Sequence, residues 1–146
     1  MQVLKVEIDG RETEIDLDIL SIPYSDDLDD LNQAISKQPS LYAWYAYLTE
    51  VAKTQAEDLK NELELLKAKT ELRIRKVGIY GVKKITDSAV SAGVTSDKDY
   101  VEKLNEYTAK KGQYLKLKAI TDGFIQRKDM LATLSANVRK SHDNDF

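Results

Sequence analysis

The feature that most constrains this chain is a stretch of 36 residues, Leu41 to Lys76, that contains neither glycine nor proline. Apolar and small side chains recur along it at spacings of three and four, which predicts one stripe of an α-helix. The stripe consists of Tyr45, Leu48, Ala52, Ala56, Leu59, Leu63, Leu66, Thr70, Ile74 and Val77. Such a helix is roughly 50 Å long and cannot bury its own stripe. It must pack against a second helix of the chain or against another subunit.

A second long helix is predicted after a connector. Gly78 ends the first helix, and the connector holds a short helical piece near residues 86–92. Ser96 or Asp97 then caps the second helix, which runs to about residue 140. Its apolar stripe consists of Tyr100, Leu104, Tyr107, Tyr114, Leu117, Ile120, Phe124, Leu131, Leu134 and Val138.

A β-hairpin is predicted in front of the helices, over residues 3–20. Apolar and polar residues alternate there, and Asp9-Gly10 separates the two alternating segments, which is typical of a type I′ turn. In this register Glu7 faces Glu12, a like-charge pair that weakens the pairing. Because a two-stranded hairpin is marginally stable alone, it must lean on a helix or pair with another subunit.

A short helix is predicted between the hairpin and the long helix. Ser25 caps it, acidic residues fill its first turn, and Pro39 ends it, after which Ser40 caps the long helix. The predicted fold is therefore mainly α: a long antiparallel α-helical hairpin with an N-terminal β-hairpin and short helix, assembling into a homo-oligomer. Three regions follow: an acidic region at 1–38, the helical hairpin with a basic end at 39–140, and an acidic, disordered tail at 141–146.

The length and composition indicate one soluble domain. The chain has 146 residues, of which 32% are charged, and it has no cysteine, which excludes disulfides and thiolate zinc sites. No apolar run approaches the roughly 20 residues that a membrane span needs, and the first residues do not resemble a signal peptide. We therefore expect a cytoplasmic protein with no membrane partner.

Residues that could carry catalysis are scarce, and we expect no enzymatic activity, cofactor or metal. The one histidine, His142, lies in the predicted tail. The segment from Gly78 to Gly81 matches neither a Walker motif nor a dinucleotide fingerprint. The acidic run from Asp26 to Asp30 suggests calcium, but it lacks the glycine and the distal glutamate of an EF-hand loop. A solvated first helical turn is favoured.

Basic residues are concentrated in one part of the chain. Residues 1–40 carry three basic residues against ten acidic ones, whereas residues 67–84 carry seven basic residues and one acidic one. The candidate DNA-binding residues are Lys67, Lys69, Arg73, Arg75, Lys76, Lys83, Lys84 and Tyr80. The cations can neutralise phosphates, and a tyrosine between glycines can stack on a base. The alternative is a helix C-terminus with cations that complement the helix dipole and aid solubility.

The start of the long helix is rich in aromatic residues. Tyr42, Trp44, Tyr45 and Tyr47 occupy more than half of the helix circumference, so at least one ring faces away from an intramolecular core. A base-stacking surface is one interpretation, and packing or a subunit interface is the favoured one. The candidate oligomer interface consists of Tyr42, Trp44, Tyr45 and Leu48.

Four segments share a pattern with one known family. They are the aromatic helix start at 41–48, Leu66-Lys67-Ala68-Lys69, a threonine-led segment at 84–100 and a helical segment at 123–131. In these the chain resembles the UvsY-like recombination mediators of T-even bacteriophages. The resemblance covers about residues 22–140, and the second segment is similar to the family's short Leu-Lys-Ala-Arg-Leu motif, which is linked to DNA and recombinase interaction.

The resemblance implies a homo-oligomeric protein that binds single-stranded DNA. It also implies that the protein helps to load a RecA-like recombinase onto strands coated by single-strand-binding protein. Lys67, Lys69 and, more loosely, Arg73, Arg75 and Lys76 would neutralise phosphates. The alternative function is a non-enzymatic structural or assembly protein, such as a coiled-coil subunit or virion chaperone, with no nucleic-acid role.

Overall fold

A computed structural model of the chain describes residues 2–23 and 28–144. Two strands come first, β1 (Val3–Ile8) and β2 (Arg11–Asp16), and a 3₁₀ turn follows at Leu17–Leu20. Three helices complete the described chain: α1 (Leu28–Val77), α2 (Asp87–Ser96) and α3 (Lys98–Asn144). The structure is 80% helical, which confirms the predicted fold class of long helices behind an N-terminal β-hairpin.

The chain forms two compact units. Unit 1 comprises Met1–Ala52 with Gln113–Phe146, and unit 2 comprises Lys53–Gly112. Each unit contains one segment of α1 and an antiparallel segment of α3. Unit 1 adds the β-hairpin to this helix pair, and unit 2 adds α2.

The β-hairpin has the predicted turn and register. Asp9 and Gly10 have positive φ angles of 50° and 76°, as a type I′ turn requires. Glu7 pairs with Glu12, as predicted. Lys5 offsets the repulsion, because its Nζ lies 3.4 Å from a carboxylate oxygen of Glu12.

The second strand is shorter than the alternation predicts. β2 ends at Asp16, whose carboxylate accepts a hydrogen bond from the backbone N–H of Asp18 at 2.9 Å and so caps the 3₁₀ turn. This turn places Leu20 against α3 at Gly123. A Cβ atom at Gly123 would lie 3.2 Å from Leu20 Cδ1, so the glycine allows the close approach.

The main core of unit 1 lies between the inner face of the hairpin and the two helices. Phe124 is fully buried at its centre, and its ring stacks on Tyr45 with the ring centroids 5.3 Å apart. The other buried members of this core are Val6, Ile15, Leu48, Ala52, Leu117 and Ile120. The hairpin therefore gains its stability by burying its apolar face on α1 and α3.

The predicted helix break at Pro39 is wrong, because α1 is continuous from Leu28 to Val77. Proline removes the N–H that would bond to the carbonyl of Ile35, at a cost of about 3 kcal/mol. Packing offsets this cost, since the buried Gln38 side chain donates to the backbone carbonyl of Phe124 at 2.5 Å. The predicted separate short helix and the predicted helix cap at Ser40 are therefore wrong.

Unit 2 is built by packing α2 onto the last turns of α1. Ile74 of α1 is buried together with Val90 and Val94 of α2. Thr86 caps α2 by accepting a hydrogen bond from the N–H of Ala89 at 3.1 Å, which confirms the short helical piece predicted there.

The predicted apolar stripes form the buried or half-buried faces of α1 and α3, with two corrections. Val77 is 78% exposed, because it is the last residue of α1 and extends past the packing at Ile74. Leu104 is also exposed, since it lies at the edge of the buried face of α3.

The end of α3 differs from the prediction. The helix extends through Asn144, so a disordered tail is wrong for residues 141–144. The predicted cap at Ser25, the first-turn residues Asp26 and Asp27, and the last two residues of the acidic tail lie outside the described residues. Within the described helices, no apolar stretch is long enough to cross a membrane.

Candidate nucleic-acid interface

A tight turn follows the basic end of α1. Gly78 has a φ of 84°, a left-handed conformation that ends the helix as predicted. Three residues later Gly81 also has a positive φ of 81°, and the N–H of Val82 donates to the carbonyl of Ile79 at 3.0 Å. Tyr80 lies at the tip of this turn and is fully exposed. Its ring is therefore free to stack on a planar ligand.

The basic residues of α1 lie on different faces of the helix. At roughly 100° per residue, Lys69, Arg73 and Lys76 fall within about 60° of one another. Lys67 lies about 160° from Lys69, and Arg75 lies nearer to Lys67 than to Lys69. The basic cluster therefore surrounds the end of α1 and does not form one stripe.

Two of the candidate DNA-binding residues form ion pairs within unit 2. Arg73 donates to the carboxylate of Asp97 at the start of α3, and Arg75 donates to the carboxylate of Asp87 at 2.8 Å. Both arginines link the end of α1 to neighbouring helices. The structure thus gives them a role in the fold, which charge counting did not reveal.

The other five cations are exposed and have no acidic partner among the described residues. They are Lys67, Lys69, Lys76, Lys83 and Lys84. Together with the ring of Tyr80 they form what we call the basic tip. Unpaired lysines can approach phosphates without first breaking an internal ion pair, so these five are the stronger phosphate-binding candidates.

Asp97 joins α2 to α3 and confirms one of the two predicted caps. Its Oδ1 accepts hydrogen bonds from the N–H groups of Asp99 and Tyr100, both at 3.1 Å. The hydrogen bond from Arg73, followed by the one from the Tyr100 N–H, lowers the pKa of the Asp97 carboxyl below its usual value. The charged carboxylate therefore stabilises the folded state.

The Asp97→Asn variant tests how much this charge contributes to stability, because the contribution depends on pH. Because the pKa is lower in the folded state, the contribution is present above the ordinary aspartate pKa of about 3.9 and is lost as the pH falls through the folded value. Asparagine keeps an oxygen for the cap but does not titrate. In urea unfolding, the difference in stability between wild type and variant should be largest near neutral pH and shrink below about pH 4. A constant difference across pH would contradict this role.

Two exposed leucines of α1 lie outside its predicted apolar stripe. Leu65 is 57% exposed and Leu72 is 70% exposed, seven residues apart on α1. By helical geometry they lie within about 60° of Lys69, on the face that also carries Lys76. A seven-residue spacing outside the buried stripe is the signal that identifies them.

The aromatic start of the long helix divides into buried and exposed residues. Tyr45 and Leu48 belong to the core of unit 1, so the chain's own packing accounts for them without a partner. Tyr42, Trp44 and Tyr47 are exposed. The Trp44 and Tyr47 rings lie 6.0 Å apart at 31° and form a small aromatic surface. Of the predicted interface residues, Tyr42 and Trp44 are thus accessible to a second subunit.

No family model, curated protein or solved structure matches this chain. The geometry of the described residues therefore carries the functional interpretation, together with the motifs in the sequence. No group of three or more acidic or histidine side chains within the described residues is arranged to hold a metal ion.

Proposed function

We propose that this protein is a non-enzymatic mediator of recombination that binds single-stranded DNA through the basic tip. The observation that supports this most strongly is the set of five exposed lysines at residues 67–84, which have no acidic partner among the described residues, together with the fully exposed Tyr80. Lysines supply attraction to phosphates without sequence preference. An accessible ring favours single strands, because bases in a duplex are already stacked on one another.

The resemblance to UvsY-like mediators extends this proposal to protein partners. The protein would help to load a RecA-like recombinase onto strands coated by single-strand-binding protein, in the cytoplasm of a host cell if a phage encodes it. It would act as a homo-oligomer, for which Tyr42 and Trp44 offer exposed aromatic surface. One basic tip per subunit gives the assembly an avidity that a monomer lacks.

A triple lysine variant tests the DNA site. Replacing Lys76, Lys83 and Lys84 with alanine should weaken binding to a labelled single strand roughly 10- to 100-fold at moderate salt. It should also lower the slope of log affinity against log salt by about 2, since each phosphate contact contributes about 0.7. Fluorescence anisotropy measures both quantities. These lysines have no structural partner among the described residues, so the circular dichroism spectrum should be unchanged.

The matched control replaces three exposed or half-exposed lysines elsewhere, Lys53, Lys60 and Lys116. This control variant loses the same number of positive charges and should retain most of its affinity for single-stranded DNA. Equal losses of DNA affinity in the two triple variants would contradict a localised site.

In the basic tip itself, Tyr80→Ala should reduce affinity for single strands more than affinity for duplexes, because stacking contributes about 1–3 kcal/mol per base.

The exposed pair Leu65 and Leu72 favours a second candidate function, that of a structural or assembly protein. Leucines seven residues apart are typical of a seam between helices of different subunits. In that case the lysines would only aid solubility, and replacing both leucines with lysine would dissociate an oligomer. Loss of assembly in a wild-type protein that does not bind DNA would favour this second candidate.

A further inference from the structure

An open apolar groove runs along unit 1. It lies between residues 35–42 of α1 and residues 124–139 of α3 and has a volume of about 740 Å³. Ile35 and Tyr42 form one wall and Ile125 forms part of the other, and each is more than a third exposed. Phe124 and Leu131 contribute buried side chains to its floor.

The floor of the groove is fixed by a buried polar network. Arg127 Nη1 donates to Gln38 Oε1 at 2.6 Å, and Gln38 Nε2 donates to the carbonyl of Phe124. Both side chains are more than nine-tenths buried. Because Gln38 lines the groove and these bonds link α1 to α3, they hold the two helices in place before any ligand binds.

The charged residues that line the groove are basic in the part of the chain that the structure describes. Lys128 and Arg139 line it, and none of the described lining residues is acidic. Lys128 makes an exposed ion pair with Asp129 at 3.7 Å, and Arg139 Nε donates to the carbonyl of Ser135 at 3.3 Å. Both side chains can therefore bind carboxylates. A second copy docked symmetrically through the same groove would place these cations opposite each other, which disfavours self-association here.

The shape of the groove indicates an elongated ligand. Along α3 the lining residues extend from 124 to 139, a distance of about 22 Å at 1.5 Å per residue. That is the length of about four helical turns. Along α1 the lining residues extend from 35 to 42, a distance of about 10 Å, so the groove has two walls over part of its length and continues along α3. An apolar surface of this shape with cations at its edge suits a helix that presents an apolar stripe flanked by carboxylates.

We propose that this groove docks an acidic amphipathic helix of another protein. The apolar stripe of that helix packs on Ile35 and Ile125, and its carboxylates pair with Lys128 and Arg139. This site lies in unit 1 and uses none of the residues assigned to DNA, so the two sites can be tested separately.

A labelled synthetic peptide of about 16 residues tests the proposal, with leucines at helical spacings of three and four and glutamates along the edges. It should bind the full chain, and a peptide with lysine in place of each glutamate should bind at least tenfold more weakly. Ile125→Asp should weaken binding of the acidic peptide at least tenfold. Met130→Asp is the matched control, because Met130 is exposed on the same helix but does not line the groove.

A charge exchange makes the test independent of folding. The double variant Lys128→Glu, Arg139→Glu should bind the acidic peptide more weakly and the lysine peptide more tightly than the wild type does. Its DNA binding should stay at the wild-type level. No peptide binding, or equal affinity for the two peptides, would overturn the proposal. Dissociation of an oligomer by Ile125→Asp without peptide, seen by analytical ultracentrifugation, would assign the groove to a second copy and would also overturn it.

Discussion

Replacing Phe124 with alanine should lower the free energy of unfolding by about 3–5 kcal/mol, the largest effect expected of any single substitution here. Its ring is fully buried between the hairpin and both helices, and it stacks on Tyr45. The variant loses this burial and leaves a cavity. The helices cannot close the cavity, because surrounding contacts hold them in place. Urea unfolding followed by circular dichroism measures the change, and the melting temperature should fall by roughly 10 °C.

The control for this prediction is Met130→Ala. Met130 lies on the same helix but is 52% exposed, so its truncation should change stability by less than about 0.5 kcal/mol. If Phe124→Ala and Met130→Ala had similar small effects, the core described for unit 1 would be wrong.

Replacing Arg127 with alanine should have the second large effect and lower the free energy of unfolding by about 2–4 kcal/mol. Arg127 is only 7% exposed, and no acidic side chain pairs with it among the described residues. It donates instead to Gln38 Oε1 at 2.6 Å and to the carbonyl of Ser21 at 3.2 Å. Burial lowers the pKa of its guanidinium, although the group stays charged at neutral pH. Alanine leaves both acceptors without their donor.

A double-mutant cycle separates this network from simple loss of volume. Once Gln38 is replaced by leucine, its acceptor is gone, so removing Arg127 should cost less than it does in the wild type. Lys128→Ala, which removes an exposed neighbouring cation, should have almost no effect on stability. Strict additivity of the Gln38 and Arg127 substitutions would contradict the coupling.

The sequence predicts the fold well wherever local signals agree with the packing. The Asp9-Gly10 turn, the end of α1 at Gly78 and the cap at Asp97 each follow from backbone chemistry within a few residues. The break at Pro39 was predicted for the same reason and is wrong, because tertiary contacts around Gln38 offset the missing backbone hydrogen bond. Rules that consider only residues close together in sequence cannot predict contacts between residues that are far apart in sequence.

The candidate site is predicted less completely than the fold. Charge counting identifies the cluster at residues 67–84, but it cannot show that Arg73 and Arg75 are paired with acids from other helices. Nor does it identify Arg127 as a buried residue, because arginine is usually exposed. Exposure of Tyr80 was expected from its flanking glycines, and the tight turn at Gly78 and Gly81 produces it.

The most direct test of the central claim is fluorescence anisotropy of a labelled oligothymidine strand and of its duplex with oligoadenine, each titrated at several salt concentrations. We expect tighter binding to the single strand, with log affinity falling steeply and linearly against log salt. No binding to either nucleic acid at low salt would contradict the proposed function and leave the basic tip as a solubilising helix end.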